Sequence, residues 1–468
     1  MITSSTRRAV ETICQQNQAV ILNFTAERLN IASATALPQE IMAALRFAAH
    51  CTIDVEYWPP ARLEHFRNEQ AQSSGTSQTE AAAGNSETAT ERIDHLLFLA
   101  IQQRASDVHI EPQAEGLRIR FRVDGVLQSV PSVFSDNGNA LLARLKILAS
   151  LDIAERRMPQ DGQFTLTLRG KQASFRLSTL QTGFGEKAVI RLLQNETQSV
   201  AMENLGMPPA SLRRFREALA RPQGLILVTG PTGSGKTFTL YSGLSSLNDP
   251  CRNLCSVEDP IEIPLAGVNQ TQIHPKAGLD FNRVLRALLR QDPDVIMIGE
   301  IRDAETAEIA IKAAQTGHLV LSTLHTNSTT ETLTRLGQIG IPGYLLASAL
   351  KLVIAQRLIR RLCPHCRQPG EALAHFPRTL WPGTVKTWRA VGCERCYSGY
   401  YGRLALFELL PITAPLQNAI AADCSHEKLL ELTQRQGFNS LFVEGLHCVN
   451  RGDTTLAELN RIVGTEDG

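Results

Sequence analysis

Apolar residues recur at two different spacings along this chain, and the change of spacing divides it. From Ile93 to Ala105 they follow helical intervals, with Ile93, Leu96, Leu97 and Ala100 on one side, which predicts an amphipathic helix. Leu117, Ile119, Phe121 and Val123 then alternate strictly with Arg118, Arg120 and Arg122, so one side of a strand is apolar and the other carries three arginines. Asp124-Gly125 follows as a turn. Between Gly224 and Ser328, short apolar runs alternate with helical stretches, the pattern of a parallel sheet with crossover helices. Four runs end in polar residues: Leu225–Val228 before Gly230, Leu254–Val257 before Glu258, Val295–Ile298 before Glu300, and Leu319–Leu321 before Ser322-Thr323-Leu324-His325. Ligands of open α/β sheets lie beyond the carboxyl ends of the strands, so these polar groups are expected to converge.

The expected division has an N-terminal region over 1–66, a flexible linker over 67–92 and a smaller α/β domain over 93–200. An α/β core over 201–362, a cysteine-bearing segment over 363–397 and a helical region over 398–468 complete it. The linker rests on stretches such as Gln72-Ser73-Ser74-Gly75-Thr76-Ser77-Gln78, almost without large apolar residues. A length of 468 residues suits roughly three domains of about 150 residues each. The charge is nearly balanced, 47 Lys+Arg against 46 Asp+Glu, which argues against a nucleic-acid partner. No apolar leader follows Arg7-Arg8, and no apolar run nears the roughly 18 residues of a membrane span, so a cytoplasmic chain without direct membrane insertion is expected.

Gly230-Pro231-Thr232-Gly233-Ser234-Gly235-Lys236-Thr237 follows an apolar strand and precedes the helical stretch Phe238–Leu244. That context makes it a P-loop, in which main-chain N–H groups at a helix N-terminus cradle phosphates. Lys236 is expected on the β and γ phosphates of ATP and Thr237 on Mg²⁺. Glu300 ends its strand on the ligand side, whereas Asp292 and Asp294 precede it, so Glu300 is the expected Walker B carboxylate. Glu258, Asp259 and Glu262 end another strand, and one of them is expected to orient the attacking water, spacing alone leaving open which. His325 shares the ligand edge and is placed to sense the γ-phosphate, while His318 lies at the other strand end. Arg283, Arg286 and Arg290 share one helix stripe, a solvated face unless a neighbouring subunit's phosphate recruits them.

Cys363-Pro364-His365-Cys366 and Cys393-Glu394-Arg395-Cys396 are two Cys-x-x-Cys pairs in a chain without an export signal. They read as a closed Zn²⁺ site with Cys363, Cys366, Cys393 and Cys396 as ligands, structural because four thiolates leave no open position. His365 is a bystander in this reading.

These residues together resemble the type II secretion and type IV pilus assembly ATPases, from about Asp94 to Glu408. Glu258-Asp259-Pro260 with Glu262 is similar to the family's aspartate box, Gly299-Glu300-Ile301-Arg302-Asp303 to its Walker B, and Gly317-His318 through Thr323-Leu324-His325-Thr326-Asn327 to its histidine box. Gln356-Arg357-Leu358-Ile359-Arg360-Arg361-Leu362-Cys363 and Gly399-Tyr400-Tyr401-Gly402-Arg403 match too. So do Ser106-Asp107-Val108-His109-Ile110-Glu111-Pro112, Pro159-Gln160-Asp161-Gly162 and Gly185-Glu186-Lys187 of a preceding domain. The resemblance implies a RecA-like P-loop NTPase core, a preceding smaller α/β domain, a four-cysteine zinc subdomain and a C-terminal helical region. It also implies that Arg118, Arg120 and Arg122 lean toward nucleotide, and that residues 1–66 dock a partner. Further implications are a homohexamer peripheral at the inner membrane and a platform protein there that it drives. The zinc module favours the assembly or secretion branch over retraction motors. A DNA-handling RecA-like translocase and a scaffold that binds ATP without turnover are the rival readings, separated by DNA-stimulated activity and by phosphate release.

Overall fold

The structure is a computed structural model. It describes residues 6, 10–11, 13–14, 17–25, 28–49, 51–60, 62–63, 89–114, 116–130, 138–193, 200–274, 277–378 and 380–464. Most of the linker expected over 67–92 lies outside the described residues. The chain divides into two units, one of 1–196, 363–367 and 390–402, the other of 197–362, 368–389 and 403–468.

The first unit begins with β1 (Val20–Phe24), β2 (Arg28–Ser33), helix α1 (Gln39–Ala49) and β3 (Thr52–Tyr57). β1 is antiparallel to β2, and β3 returns parallel to β2 after the helix. Helix α2 (Ala89–Gln102) precedes β4 (Ala105–Gln113), β5 (Gly116–Val123) and β6 (Val126–Val130). Helix α3 (Gly138–Leu148), β7 (Gln160–Leu168), β8 (Lys171–Thr182) and β9 (Gly185–Leu193) follow, giving a sheet of order β6-β5-β4-β9-β8-β7. The stripe Ile93, Leu96, Leu97 and Ala100 of α2 is buried in one core with Ile119, Phe121 and Val123 of β5, as the two periodicities predict. Val123 pairs with Val126 across a two-residue loop in which Asp124 and Gly125 have φ of 49° and 85°. Both central residues of such a hairpin turn need positive φ, which Asp-Gly accepts.

The arginines of β5 meet carboxylates of their own sheet. Arg120 and Lys187 each lie 2.8 Å from the Glu111 carboxylate, and Asp107 takes Arg191 at 2.9 Å and Arg122 at 3.8 Å, while Arg118 is exposed. Burial works against the charged form of Glu111, but the hydrogen bonds and charges of Arg120 and Lys187 outweigh it and bring the carboxyl down from 4.5 to about 2.

The second unit opens with a 3-10 turn (Met202–Leu205) and helix α4 (Pro209–Leu219). β10 (Gly224–Thr229), α5 (Lys236–Leu247), β11 (Leu254–Glu258), β12 (Val268–Gln272), α6 (Phe281–Leu288), β13 (Val295–Ile298), α7 (Ala304–Gln315) and β14 (Leu319–Leu324) alternate as expected. Helices α8 (Thr329–Gln338) and α9 (Gly343–Ala349) lead into β15 (Leu350–Leu362), and β16 (Gln368–His375) pairs with β17 (Thr384–Arg389) as a hairpin. β18 (Tyr400–Pro411) reaches the edge of a seven-stranded sheet of order β12-β11-β13-β14-β10-β15-β18. The C-terminal region thus opens on a strand before its helices α10 (Ala414–Ala421), α11 (His426–Arg435), α12 (Leu441–Arg451) and α13 (Leu456–Val463).

Both faces of this sheet are covered, which is why its strands read as continuous apolar runs. Leu225, Leu227, Ile296, Ile298, Val320 and Val353 pack one way with α6, α7 and α8, whereas Ile226, Val228, Met297, Leu321, Leu352 and Ile354 pack the other way with α4 and α5. The fold is that of a P-loop α/β core preceded by a smaller α/β domain.

Glu111 is the natural test of the first unit's polar face. A carboxyl depressed to about 2 stabilises the fold fully above its unfolded value near 4.5 and ceases to do so as pH falls through 2. Glu111→Gln, which strands Arg120 and Lys187, is expected to cost about 1–3 kcal/mol at pH 7. In thermal melts the gap to the parent protein should close between pH 4.5 and about 2; a gap independent of pH over that range would contradict the assignment.

Candidate nucleotide and metal sites

The four strand ends do converge. Register aligns Thr229 of β10 with Leu324 of β14, Ser322 with Ile298, and Ile298 with Val257. Ser322 and Thr323 donate to the carbonyls of Ile298 and Gly299 at 2.9 and 2.7 Å, fixing Glu300 beside the histidine segment. A buried chain of hydroxyls, Thr229 to Thr326 at 2.6 Å and Thr326 to Thr332 at 2.7 Å, joins the end of β10 to the start of α8.

Helix α5 starts directly after Gly235, whose φ of 88° only glycine adopts easily, and no side chain caps its first N–H groups. Those N–H groups are joined by the buried Ser234 hydroxyl, which has no hydrogen-bond partner among the described residues. Lys236 Nζ bonds the carbonyl oxygens of Gly230 and Pro231 at 2.7 and 3.1 Å. Burial pushes this ammonium down to about 8, Glu300 pulls it back up, and Arg357 pushes it down again. A buried cation, uncapped N–H groups and a glycine bend at one helix end suit a polyphosphate.

Glu300 is largely buried, paired with the guanidinium of Arg302 and 3.2 Å from His325 Nε2. His325 and Glu300 are therefore neighbours at the ligand edge, whereas His318 sits at the opposite end with Nδ1 3.0 Å from the Ala313 carbonyl. The three acids of the aspartate box separate by environment. Glu258 is 2% exposed and fully engaged: Ser256 donates to Oε1 at 2.5 Å, Gln270 at 3.0 Å, and the Tyr241 hydroxyl donates to Oε2. Burial and that carboxylate hold the Tyr241 phenol well above its usual range. Glu262 is exposed, and Asp259 lies 3.9 Å from Arg302. Of the arginine stripe, Arg286 pairs with Glu305, and Arg283 donates to the Gly278 carbonyl at 2.8 Å.

Tyr241, Gln270, Arg302 and Arg357 escaped the sequence reading as site residues. Tyr241 and Gln270 act through contacts made only when β11, β12 and α5 are packed together, and no local pattern marks them. Arg302 and Arg357 stood in segments that the family resemblance had picked out.

Cys363, Cys366, Cys393 and Cys396 form one cluster, every sulfur within 4.8 Å of the others. The 363–393, 366–396 and 393–396 sulfurs are 3.8, 3.6 and 3.7 Å apart. Tetrahedral zinc at about 2.3 Å from each sulfur requires edges of about 3.8 Å, so the donor set fits that ion. Burial raises the Cys366 thiol to about 11 and Cys396 further, so both keep their protons unless a bound cation displaces them. His365 is exposed and outside the cluster.

A parallel sheet with a glycine loop at the head of a helix, a buried lysine and an acid on a neighbouring strand end define a P-loop nucleoside triphosphatase. Residues 82–461 match the model of the type II/IV secretion system protein family. A protein transport protein HofB homolog of Escherichia coli (strain K12) is 53% identical over 459 residues, covering 97% of this chain and 98% of that protein. The type IV pilus assembly ATPase PilB of Pseudomonas aeruginosa is 47% identical over 377 residues, covering 79% of this chain and 66% of PilB. Among solved structures, the ADP-bound pilus retraction motor PilT is 26% identical with a TM-score of 0.56, covering 80% of this chain and 97% of PilT. The chain belongs to the type II/IV secretion system protein family and is an ATP hydrolase.

The cluster geometry predicts one zinc ion per chain, lost together with several degrees of melting temperature in Cys393→Ser. Atomic absorption on the purified full chain checks it, and a variant with undiminished zinc would refute the site.

Proposed function

We propose that the chain is a hexameric motor that powers type IV pilus assembly or type II secretion from the cytoplasmic face of the inner membrane, by driving a platform protein there. The observation that carries the reading is the buried Lys236 on its P-loop, with Glu300 and His325 at adjacent strand ends, in a chain alike over nearly its whole length to a protein transport protein. Among the described residues no helix is long and apolar enough to cross a membrane, in keeping with attachment through a partner.

In this reading Gly230, Pro231, Thr232, Gly233, Ser234 and Gly235 supply the phosphate cradle and Lys236 its charge. Thr237, Glu300 and Asp259 are the groups that would hold Mg²⁺, which when bound neutralises charge on the β and γ oxygens. Glu262, exposed and without the three donors that occupy Glu258, is the acid available to orient water. Glu258 acts beneath it as an anchor for Tyr241. His325 reports on the γ-phosphate through Glu300. Of the β5 arginines, Arg118 is the exposed one and serves a phosphate, while Arg120 and Arg122 are occupied by Glu111 and Asp107. The four cysteines hold Zn²⁺ as a structural ion.

Lys236→Ala is expected to lose ATP binding, Glu300→Gln to bind ATP with turnover down by at least about a hundredfold, and Glu262→Gln to lose turnover with its fold intact. Glu258→Ala should instead lower the melting temperature by stranding three donors. Phosphate release and nucleotide binding check the first three and thermal melts the fourth; normal hydrolysis by Lys236→Ala or Glu300→Gln would defeat the site. For the partner, Glu300→Gln loaded with ATP is captured from native membranes. A co-purifying polytopic inner-membrane protein is the expected outcome, and nucleic acid without a membrane protein would overturn the coupling.

A further inference from the structure

β15 runs directly behind the P-loop. Thr229, the last residue of β10, is paired with Ala355, so the next two residues, Gln356 and Arg357, rise against the loop itself. A Cβ on Gly230 would meet the Gln356 carbonyl oxygen at 2.4 Å and Arg357 Nη1 at 3.1 Å, and one on Gly235 would meet Gln356 Nε2 at 2.9 Å. Two of the loop's glycines are therefore demanded by the strand behind it as well as by backbone conformation. Gln356 is fixed there by Thr239, whose hydroxyl donates to Oε1 at 2.7 Å.

Arg357 is 6% exposed, yet its hydrogen bonds all go to neutral acceptors: the Gln356 carbonyl at 3.0 Å, and the Asn327 carbonyl and Oδ1 at 2.9 and 3.1 Å. Among the described residues no carboxylate pairs with it, and Glu408 and Glu331 act on it only through space. Gly230 thus lies between two buried cations, with Lys236 Nζ on its carbonyl oxygen and Arg357 Nη1 beside its Cα. Two like charges held out of water repel each other, and an anion bound in the loop would relieve both.

We propose that Arg357 is a positioning residue of the phosphate site. Its charge joins that of Lys236 on the nucleotide's phosphates, and its fork ties Asn327, two residues beyond His325, to the P-loop. Phosphate occupancy and placement of the histidine segment are then read by one side chain. Lysine cannot replace it, because a single ammonium does not reproduce the fork that spans Gln356 and Asn327. This inference rests on the assignment of the P-loop as the ATP site.

The test uses the full chain with Mg²⁺, comparing ATP with AMP, which has no β or γ phosphate, across pH 7 to 9.5. Arg357→Gln is expected to weaken ATP roughly tenfold or more while leaving AMP nearly unchanged. Burial first and then the Arg357 charge depress the Lys236 ammonium while Glu300 raises it, so removing Arg357 is expected to raise the lysine's pKa and move the alkaline fall of ATP affinity to higher pH. Arg357→Lys is expected to keep most of the ATP affinity but lose kcat, because Asn327 is released. Equal losses for ATP and AMP, an unmoved alkaline limb, or an Arg357→Lys protein with parental kcat would overturn the proposal, the last deciding it alone if Arg357→Gln does not fold. Parental protein that fails to bind ATP, or Lys236→Ala that binds normally, would remove the ATP-site assignment itself.

Discussion

Lys236 is a charge kept from water at the head of a helix, and the loop around it, the strand behind that loop and the neighbouring strand ends all bear on it. Its ammonium leans on the carbonyls of Gly230 and Pro231, the acceptors closest to hand. The loop can bend so tightly only because glycines stand where Gln356 and Arg357 press from β15. The strand ends supply the opposite charge at a remove: Glu300 is near enough to be felt by the lysine yet is held by Arg302 and His325. A polar centre of this kind, incompletely neutralised, is stable only inside a rigid shell, which the two covered faces of the sheet provide.

Much of this was legible from spacing alone because the relevant signals are local. Four strands of the second unit are buried on both faces, so their runs are short, apolar and β-branched, and each is followed by the residue that matters. The stripe from Ile93 to Ala100 and the alternation from Leu117 to Val123 meet in one core because a helix and a strand must each hide a single face.

What spacing left open depends on partners far away in sequence. Glu258 and Glu262 look alike on paper; the hydroxyl of Tyr241 and the amide of Gln270 separate them, one locked beneath the site and the other in solvent. Arg120 and Arg122 of β5 meet Glu111 and Asp107 of the adjacent strand, partners that the alternation within β5 does not reveal. β15 and β18 carry no clear alternation, since β15 is buried on both faces along most of its length and β18 opens a stretch otherwise made of helices. Their place in the sheet comes from hydrogen bonding to β10 and to one another, which leaves no periodic trace.

The first unit is written in three pieces of chain, and its last pieces carry the cysteines. During synthesis the stretch up to residue 196 leaves the ribosome first and can form its sheets, but Cys393 and Cys396 follow only after β10 to β15 and the β16–β17 hairpin, with β18 later still. The four-thiol set is therefore completed late in translation, and a chain cut between residues 237 and 396 has the P-loop but not all four thiols.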